Sequence, residues 1–335
     1  MQNGSVLTII LNYQTPEMTL QCAQAALGEM EDLTGEVLII DNGSGDGSWE
    51  KLQQGVRERG WQDCGRLRLH RSMTNGGFGA GMNIGFASGF SDGTQPDYYY
   101  LLNSDAFVQG RSIRTLRNFL KDHPGAGLAG SYTEGTDGTP HRTAFRFPSI
   151  AGEFEMAART GVFTRLLKPW IVAMEIPSDE TQVDWVAGAS LMITQAALEA
   201  IGGFDETFFL YFEETDLCKR AANAGWRTHY VPESRVIHVG SASTGMKEWQ
   251  RTPSYWFQSR QHYFTKTHGK AYAACATFAR ALGCAIYRFR QVVQGKPKQD
   301  PDHFLRDLIR HALPRVSALS KPETRAHTPI SEDLK

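Results

Sequence analysis

Three short apolar runs restrict the fold of this chain more than any other feature. Residues 6–12 (VLTIILN), 36–41 (EVLIID) and 98–102 (YYYLL) are of strand length, rich in β-branched and aromatic side chains, and free of apolar/polar alternation. A strand of this kind is covered on both faces, which means a mostly parallel sheet with helices on each side. The intervening residues supply those helices. Thr15-Pro16-Glu17 offers a cap, a proline at the first helical position and a first-turn acid, predicting a helix to about Met30. Ser48 begins a shorter helix, residues 66–70 form a weaker strand, and a Gly-rich helix follows Asn75-Gly76-Gly77-Phe78-Gly79 to about Phe90. The βαβα rhythm predicts an α/β fold, Rossmann-like, with a mostly parallel mixed sheet flanked by helices.

Beyond residue 135 the pattern weakens into a partly helical excursion punctuated by Pro148, Pro169 and Pro177. Order returns at residues 183–194 (VDWVAGASLMIT), and a strand pair is expected near 228–231 and 235–239. Charge then divides the chain. Residues 1–244 hold 19 Lys and Arg against 29 Asp and Glu, a balance of −10; residues 245–335 hold 16 against 7, a balance of +9, together the −1 of the whole chain. We therefore expect a body over 1–244, a basic, aromatic, helical extension over 245–320, and a disordered tail over 321–335. With 41% hydrophobic and 21% charged residues, collagen-like, disordered and disulfide-scaffold classes are excluded. Cys22, Cys64, Cys218, Cys275 and Cys284 are odd in number and show no zinc spacing, which points to a reduced, cytoplasmic setting. No cationic segment precedes the first apolar run, so it is not read as a signal peptide. No run of about 18 apolar residues occurs; residues 271–287 come nearest and contain Arg280.

Ligands of open α/β sheets bind beyond the carboxyl ends of the strands. Three polar clusters fall there: Asn12-Tyr13, Asp41-Asn42 and Asn103-Ser104-Asp105. Asp41 suits either the imide N–H of a uracil or thymine ring or the start of the turn DNGSGDGS. The loop NGGFGAG offers backbone amides to a diphosphate, or glycines for tight helix–sheet packing. Met82 occupies the last glycine position of G-x-G-x-x-G and no Walker lysine follows, which disfavours dinucleotide oxidoreductases and P-loop enzymes. Asp105 suits a hard divalent cation, or a helix cap. Glu213, Glu214 and Asp216 open a helix, where acids complement the dipole; the aromatic segment before them (FDETFFLYF) also favours a raised pKa and general-base work. His238, after a strand and before a Gly/Ser turn, is either structural or a ligand.

In sequence order, VLTIILNYQTPEMTLQCAQAAL, VLIIDNGSGDGS, NGGFGAGMNIGF, YYYLLNSDAFV, WVAGASLMIT and GGFDETFFLYFEETDLCKR resemble the motifs of the family 2 glycosyltransferases of GT-A fold. The likeness spans about residues 5–270 and is greatest to the branch of bacterial rhamnosyltransferases and galactofuranosyltransferases. It implies a nucleotide-sugar half over about 1–134 and an acceptor half over about 135–244. Asp41 would recognise the base, with Asn12 and Tyr13 near the nucleotide, and Asn75, Gly76 and Gly77 along the ribose and diphosphate. Asp105, in the place of the D-x-D motif, would bind Mg2+ or Mn2+, with His238 as a further ligand. Glu214 would be the catalytic base, supported or oriented by Glu213 and Asp216, and Asp184 and Trp185 would line the sugar pocket. Two departures stand out. Asn103 replaces the first acid of D-x-D, and Glu214 stands where Asp is usual, which leaves Glu213 or Asp216 as alternative bases.

The resemblance implies an inverting, metal-dependent transfer from a dTDP- or UDP-sugar, rhamnose preferred, to a glycan or polyprenyl-diphosphate-linked acceptor in bacterial surface-polysaccharide synthesis. The rivals are a sugar-1-phosphate nucleotidyltransferase, for which Asn12-Tyr13-Gln14-Thr15 lacks basic residues, and an inactive nucleotide-sugar-binding scaffold. The extension carries Lys247, Arg251, Arg260, Lys266, Lys270, Arg280, Arg288 and Arg290 among many aromatics. It either lies on an anionic membrane at the inner face of the plasma membrane or packs on the body with its basic face in water. Nucleic acid is not an expected partner; an oligomer is left open.

Overall fold

The computed structural model describes residues 4–240, 249–295 and 300–313. The first part alternates as the apolar runs predict: β1 (Val6–Asn12), α1 (Pro16–Glu29), β2 (Gly35–Asn42), α2 (Ser48–Glu58), β3 (Leu67–Ser72), α3 (Phe78–Ser88) and β4 (Tyr98–Asn103). There follow β5 (Ala106–Gln109), α4 (Ser112–Asp122), β6 (Ala126–Glu134), β7 (Pro140–His141), β8 (Ala144–Phe145), α5 (Ile150–Ala158) and α6 (Gly161–Leu166). The body ends with β9 (Thr181–Val183), β10 (Trp185–Val186), β11 (Ser190–Thr194), α7 (Gln195–Ile201), α8 (Glu213–Asn223) and β12 (Arg227–His238).

The main sheet runs β3-β2-β1-β4-β11-β6-β12-β5. Its β3–β2–β1–β4 portion is parallel, and β11 lies antiparallel between β4 and β6. Successive residues of β1 serve opposite faces. Val6 and Ile10 join Val37, Ile39 and Leu102 beneath α1, α2 and α4, while Leu7 and Ile9 join Leu38, Ile40 and Leu101 beneath α3, α7 and α8. That double burial is the reason the runs lack alternation.

Two local expectations need correction. The strand pair near 228–239 is one strand, β12, parallel to β6 on both sides of a register shift between Val231 and Arg235. Pro232 lies within the shift, where its missing N–H costs no ladder bond. Residues 183–194, where order returns as expected, hold the end of β9 and the whole of β10 and β11, with the turn at Gly188 between the last two. Thr15 occupies the N-cap position of α1, but its hydroxyl pairs with Ser104 Oγ at 3.0 Å and does not cap the helix.

The extension consists of α9 (Ser254–His268), α10 (Lys270–Gln294) and α11 (Phe304–Ala312). Most of its basic and aromatic residues turn inward, and the basic face expected in water or on a membrane is largely consumed by the protein itself. Phe257, Tyr263 and Phe264 are buried. Arg251 pairs with Asp307, Lys266 with Asp205 and Asp216, and Arg288 with Asp300. Lys247 and the tail 321–335 lie outside the described residues. α10 packs so closely on α5 that a Cβ at Gly283 would stand 2.7 Å from the Phe154 carbonyl oxygen.

Arg260 of α9 is only 1% exposed and donates from Nε and Nη2 to Glu153 of α5, at 2.9 and 2.7 Å; Arg280 of α10 reaches the same carboxylate at 3.2 Å. Burial works to raise the Glu153 carboxyl, but Arg280 and Arg260 outweigh it and hold its pKa below the usual range. One carboxylate thus joins three helices. Glu153→Ala would leave two guanidiniums without their counter-ion and is expected to cost about 3–5 kcal/mol in denaturant unfolding. Because the folded pKa is depressed, the contribution is present above the ordinary glutamate value and lost as pH falls below it. A loss under about 1 kcal/mol, the worth of an exposed pair, would contradict this role.

Candidate active site

A cleft of about 420 Å³ opens beyond the carboxyl ends of β1, β2 and β4. Tyr13, Asn42, Asn75, Gly77, Asn103 and Asp105 line one side, and Tyr211, Glu213, Glu214, His238 and Tyr255 complete it. Asp105 lies between β4 and β5, directly before Ala106, and β5 turns the chain back to pair with the end of β12, so that Ala106 stands opposite His238. This register brings His238 Nε2 within 3.2 Å of Asp105 Oδ1. Asn103 contributes no charge beside them.

The opposing carboxylates come from the first turn of α8. Tyr211 and Phe212 precede it with φ of 69° and 71°, a left-handed conformation costly for bulky side chains. That turn presents Glu213 and Glu214 to the cleft. Glu214 Oε1 accepts from the Gly188 N–H at 3.1 Å, and a Cβ at Gly188 would stand 2.5 Å from the same oxygen. Burial pushes the Glu214 carboxyl above its ordinary value. Burial, then the neighbouring Glu214 charge, pushes Glu213 well above it too, and Glu213 Oε2 is buried with no hydrogen-bond partner among the described residues.

The Gly-rich loop is tied down from both sides. Asn42 Nδ2 donates to Asn75 Oδ1 and to the Gly77 carbonyl, at 3.1 and 3.0 Å, and the Gly77 N–H donates to Asn75 Oδ1. Gly77 has φ of 91°, and a Cβ there would overlap the Phe209 carbonyl oxygen, which accepts from the Phe78 N–H at 3.1 Å.

Of the residues singled out in the sequence, Tyr13, Asn75, Gly77, Asn103, Asp105, Glu213, Glu214 and His238 meet in this cleft. Six others stand outside its lining. Asn12 is fully buried and donates from Nδ2 to Asp41 Oδ1 at 2.7 Å, and Ser44 Oγ donates to the same oxygen at 2.5 Å. Gly76 packs against Ala80 at the entry to α3. Asp184 accepts from the Phe147 N–H at 2.7 Å, while Trp185 stacks on Phe145 and donates to the Arg146 carbonyl. Asp216 departs furthest from expectation. It lies within ion-pair distance of Arg220 and Lys266, at 2.8 Å each, and is 2% exposed, so it anchors α8 to α9 instead of competing for an acceptor proton.

The model of the glycosyltransferases described as "glycosyltransferase like family 2" matches residues 6–269. The chain belongs to that family. This glycosyltransferase is 30% identical over 251 residues to the N-acetylglucosaminyl-diphospho-decaprenol L-rhamnosyltransferase of Mycobacterium tuberculosis, covering 72% of this chain and 78% of that one. It is 29% identical over 142 residues to the rhamnosyltransferase WbbL of Escherichia coli, covering 42% and 52%. In fold it is similar to the mannosyltransferase PcManGT from Pyrobaculum calidifontis, solved with GDP-Man and Mn2+, with a TM-score of 0.54 and 13% identity over 88% of this chain and 76% of that one. The glycosyltransferase therefore has the GT-A fold with a helical extension, and the nucleotidyltransferase and scaffold readings are set aside.

The sequence did not reveal Tyr211, Gly188 or Tyr255 as site residues. Tyr211 and Gly188 lie inside motifs already noted, and only the left-handed turn and the Glu214 contact single them out. Tyr255 belongs to α9 of the extension, so the site is not confined to residues 1–244. Gly77→Ala is expected to cost the glycosyltransferase about 1–3 kcal/mol in thermal or denaturant unfolding and to weaken UDP or dTDP binding. Gly28→Ala, exposed in α1 with nothing within 4 Å of its Cβ, is the control and should be neutral or stabilising. Equal behaviour of the two variants would rule out the Gly77–Phe209 contact as a constraint.

Proposed function

We propose that the enzyme transfers a sugar with inversion from a dTDP- or UDP-sugar, rhamnose preferred, to a hydroxyl of a glycan or polyprenyl-diphosphate-linked acceptor in bacterial surface-polysaccharide synthesis. The carrying observation is that one cleft holds the Asp105–His238 pair on one wall and Glu213 and Glu214 on another. The named rhamnosyl transfer onto a decaprenol-diphosphate acceptor in the mycobacterial relative supports the choice of sugar and acceptor class. Asp41 keeps Oδ1 on Asn12 and Ser44, which orients the carboxylate as acceptor for the imide N–H of uracil or thymine.

The donor set suits Mg2+ or Mn2+. Asp105 Oδ1 and His238 Nε2 converge, and among the described residues no cluster of three His, Cys, Asp or Glu surrounds them. Asp105 and His238 would hold such an ion, and diphosphate oxygens and water would complete it, as hard divalent cations favour. When bound, such an ion supplies charge neutralisation to the departing nucleoside diphosphate. Glu214 then takes the proton of the acceptor hydroxyl as that oxygen attacks the anomeric carbon from the face opposite the diphosphate. The Gly188 N–H fixes one carboxylate oxygen and leaves the other for the proton. One base and one displacement give inversion. Among the described residues no helix is long and apolar enough to cross a membrane. We propose that the enzyme works at the cytoplasmic face, where a lipid-linked acceptor would be presented.

Glu214→Gln is expected to lower turnover by about 10²–10⁴-fold with nucleotide affinity nearly unchanged. Since the base works deprotonated and its pKa is raised, activity of the parent should fall with decreasing pH through a value above the ordinary glutamate range. Unchanged turnover in Glu214→Gln would remove Glu214 from the role. Calorimetric titration with UDP and dTDP, with and without Mn2+, tests the other wall. Asp105→Ala should abolish the metal-dependent part of the binding, and metal-independent binding by the parent would count against the Asp105–His238 assignment.

A further inference from the structure

A broad apolar surface lies away from the cleft, where α10 passes the α6 segment. A groove of about 1040 Å³ there is lined by Ile150, Phe154, Leu166, Trp170, Phe278 and Leu282, among others, and has almost no polar atoms. It continues into a stripe along the outer face of α10. Cys275, Phe278, Leu282, Ala285, Phe289 and Val292 recur at spacings of three and four residues, and all are exposed, Phe278 by 69%, Phe289 by 71% and Val292 by 82%. Such spacing keeps them on one face of the helix. Over 25 residues the helix is roughly 37 Å long. Exposed apolar surface of this extent marks an interaction site. The helix cannot turn this face inward, because Ala273, Ala276, Gly283 and Tyr287 on its other side are already buried.

Charge selects the occupant. Residues 159–170 and 270–295, which carry most of this surface, contain seven Lys and Arg and no Asp or Glu, and of the seven, Arg159 and Arg288 pair with Asp300 and Arg280 with Glu153. Arg165, Lys168 and Lys270 are exposed and have no carboxylate partner among the described residues. The nearby carboxylates of α5 are engaged, Glu153 by Arg260 and Arg280, and Glu155 by the Thr164 hydroxyl. A second copy docked on this face would bring cation against cation. An anionic bilayer offers hydrocarbon to the stripe and phosphate to its rim. We infer that α10 and the α6–Trp170 segment form a surface that lies in the headgroup region of an anionic membrane, with Phe278, Leu282, Phe289, Leu166 and Trp170 inserted. The helix lies flat, since its opposite face belongs to the protein core. This face differs from the basic aromatic residues 249–266, which the fold largely buries, and the inference holds whichever residue is the catalytic base.

The test is flotation of the full-length protein with vesicles of phosphatidylcholine alone or mixed with phosphatidylglycerol. The parent should float with the anionic vesicles, less with the neutral ones, and less as salt is raised. The double variant Phe278→Ser, Phe289→Ser should lower partitioning by roughly tenfold or more. Arg165→Glu with Lys168→Glu should remove the preference for anionic lipid. All four positions are exposed, so nucleotide binding by calorimetry should stay at the parent's value and serves as the folding control. Unaltered flotation of the Phe278→Ser, Phe289→Ser variant would overturn the inference. So would a lipid-free dimer of the parent in analytical ultracentrifugation that these same substitutions dissociate, which would assign the face to a second copy.

Discussion

The active site depends on how one loop, residues 203–212, is held between two helices far apart in sequence. From α3, Asn83 donates to the Phe204 carbonyl at 3.0 Å and accepts from its N–H at 2.8 Å, and the Phe78 N–H reaches the Phe209 carbonyl. From α9, Ser259 donates to the Leu210 carbonyl, and His262 and Lys266 converge on Asp205 at 2.9 Å each. Desolvation opposes ionisation of Asp205, but His262 and Lys266 prevail and keep its pKa well below the carboxylate range. The left-handed Tyr211-Phe212 turn persists because both flanks are fixed, and strain of this kind survives only where the surroundings impose it. Glu213 and Glu214 inherit their position from that loop.

The helical extension is therefore part of the catalytic body in a physical sense. Much of the contrast between an acidic body and a basic extension is resolved inside the molecule, where Arg260 and Arg280 meet Glu153 and Lys266 meets Asp205 and Asp216. Arg165, Lys168 and Lys270, without a carboxylate partner among the described residues, stand on the α6 and α10 face beside apolar surface that no described element covers. A net charge computed over segments cannot separate these two uses. Sequence order says only that the charges exist; pairing distance decides which are spent on folding.

What could be read from the sequence follows the same division between local and distant causes. The double-sided burial of β1, β2 and β4 writes itself into consecutive residues, so the sheet was legible. The polar residues at the ends of those strands, Tyr13, Asn42 and Asp105 among them, were legible as a candidate site because they follow the runs directly, and they do line the cleft. The strands β7 to β10 are two or three residues long and exist through their partners, so no local pattern announces them. Thr15 looked like a cap because capping is a local habit, but Ser104, 89 residues away, takes its hydroxyl. Asp216 looked like a base for the same reason as Glu213 and Glu214, namely its place in an acidic first turn. Arg220, one turn later, and Lys266, fifty residues later, give it a structural use.

The substitution of glutamate where aspartate is usual finds its explanation in the Gly188 turn. A side chain one methylene longer needs room at its tip, and the missing Cβ of Gly188 supplies it, since a Cβ there would stand 2.5 Å from Glu214 Oε1 and 2.9 Å from its Cγ. The same glycine offers its N–H to that oxygen, so the longer side chain is anchored instead of mobile. Glu213 adds a second buried carboxyl whose charge is disfavoured first by burial and then by Glu214. Two acids so arranged do not ionise together easily, and the energetically cheaper state has one proton between them. Glu214, with a backbone donor on Oε1, is the better stabilised anion; Glu213, with Oε2 buried and without a partner among the described residues, is the better place for the proton. This environment is the ground for proposing Glu214 as the base, and the extra methylene is accommodated without moving the carboxylate out of the cleft.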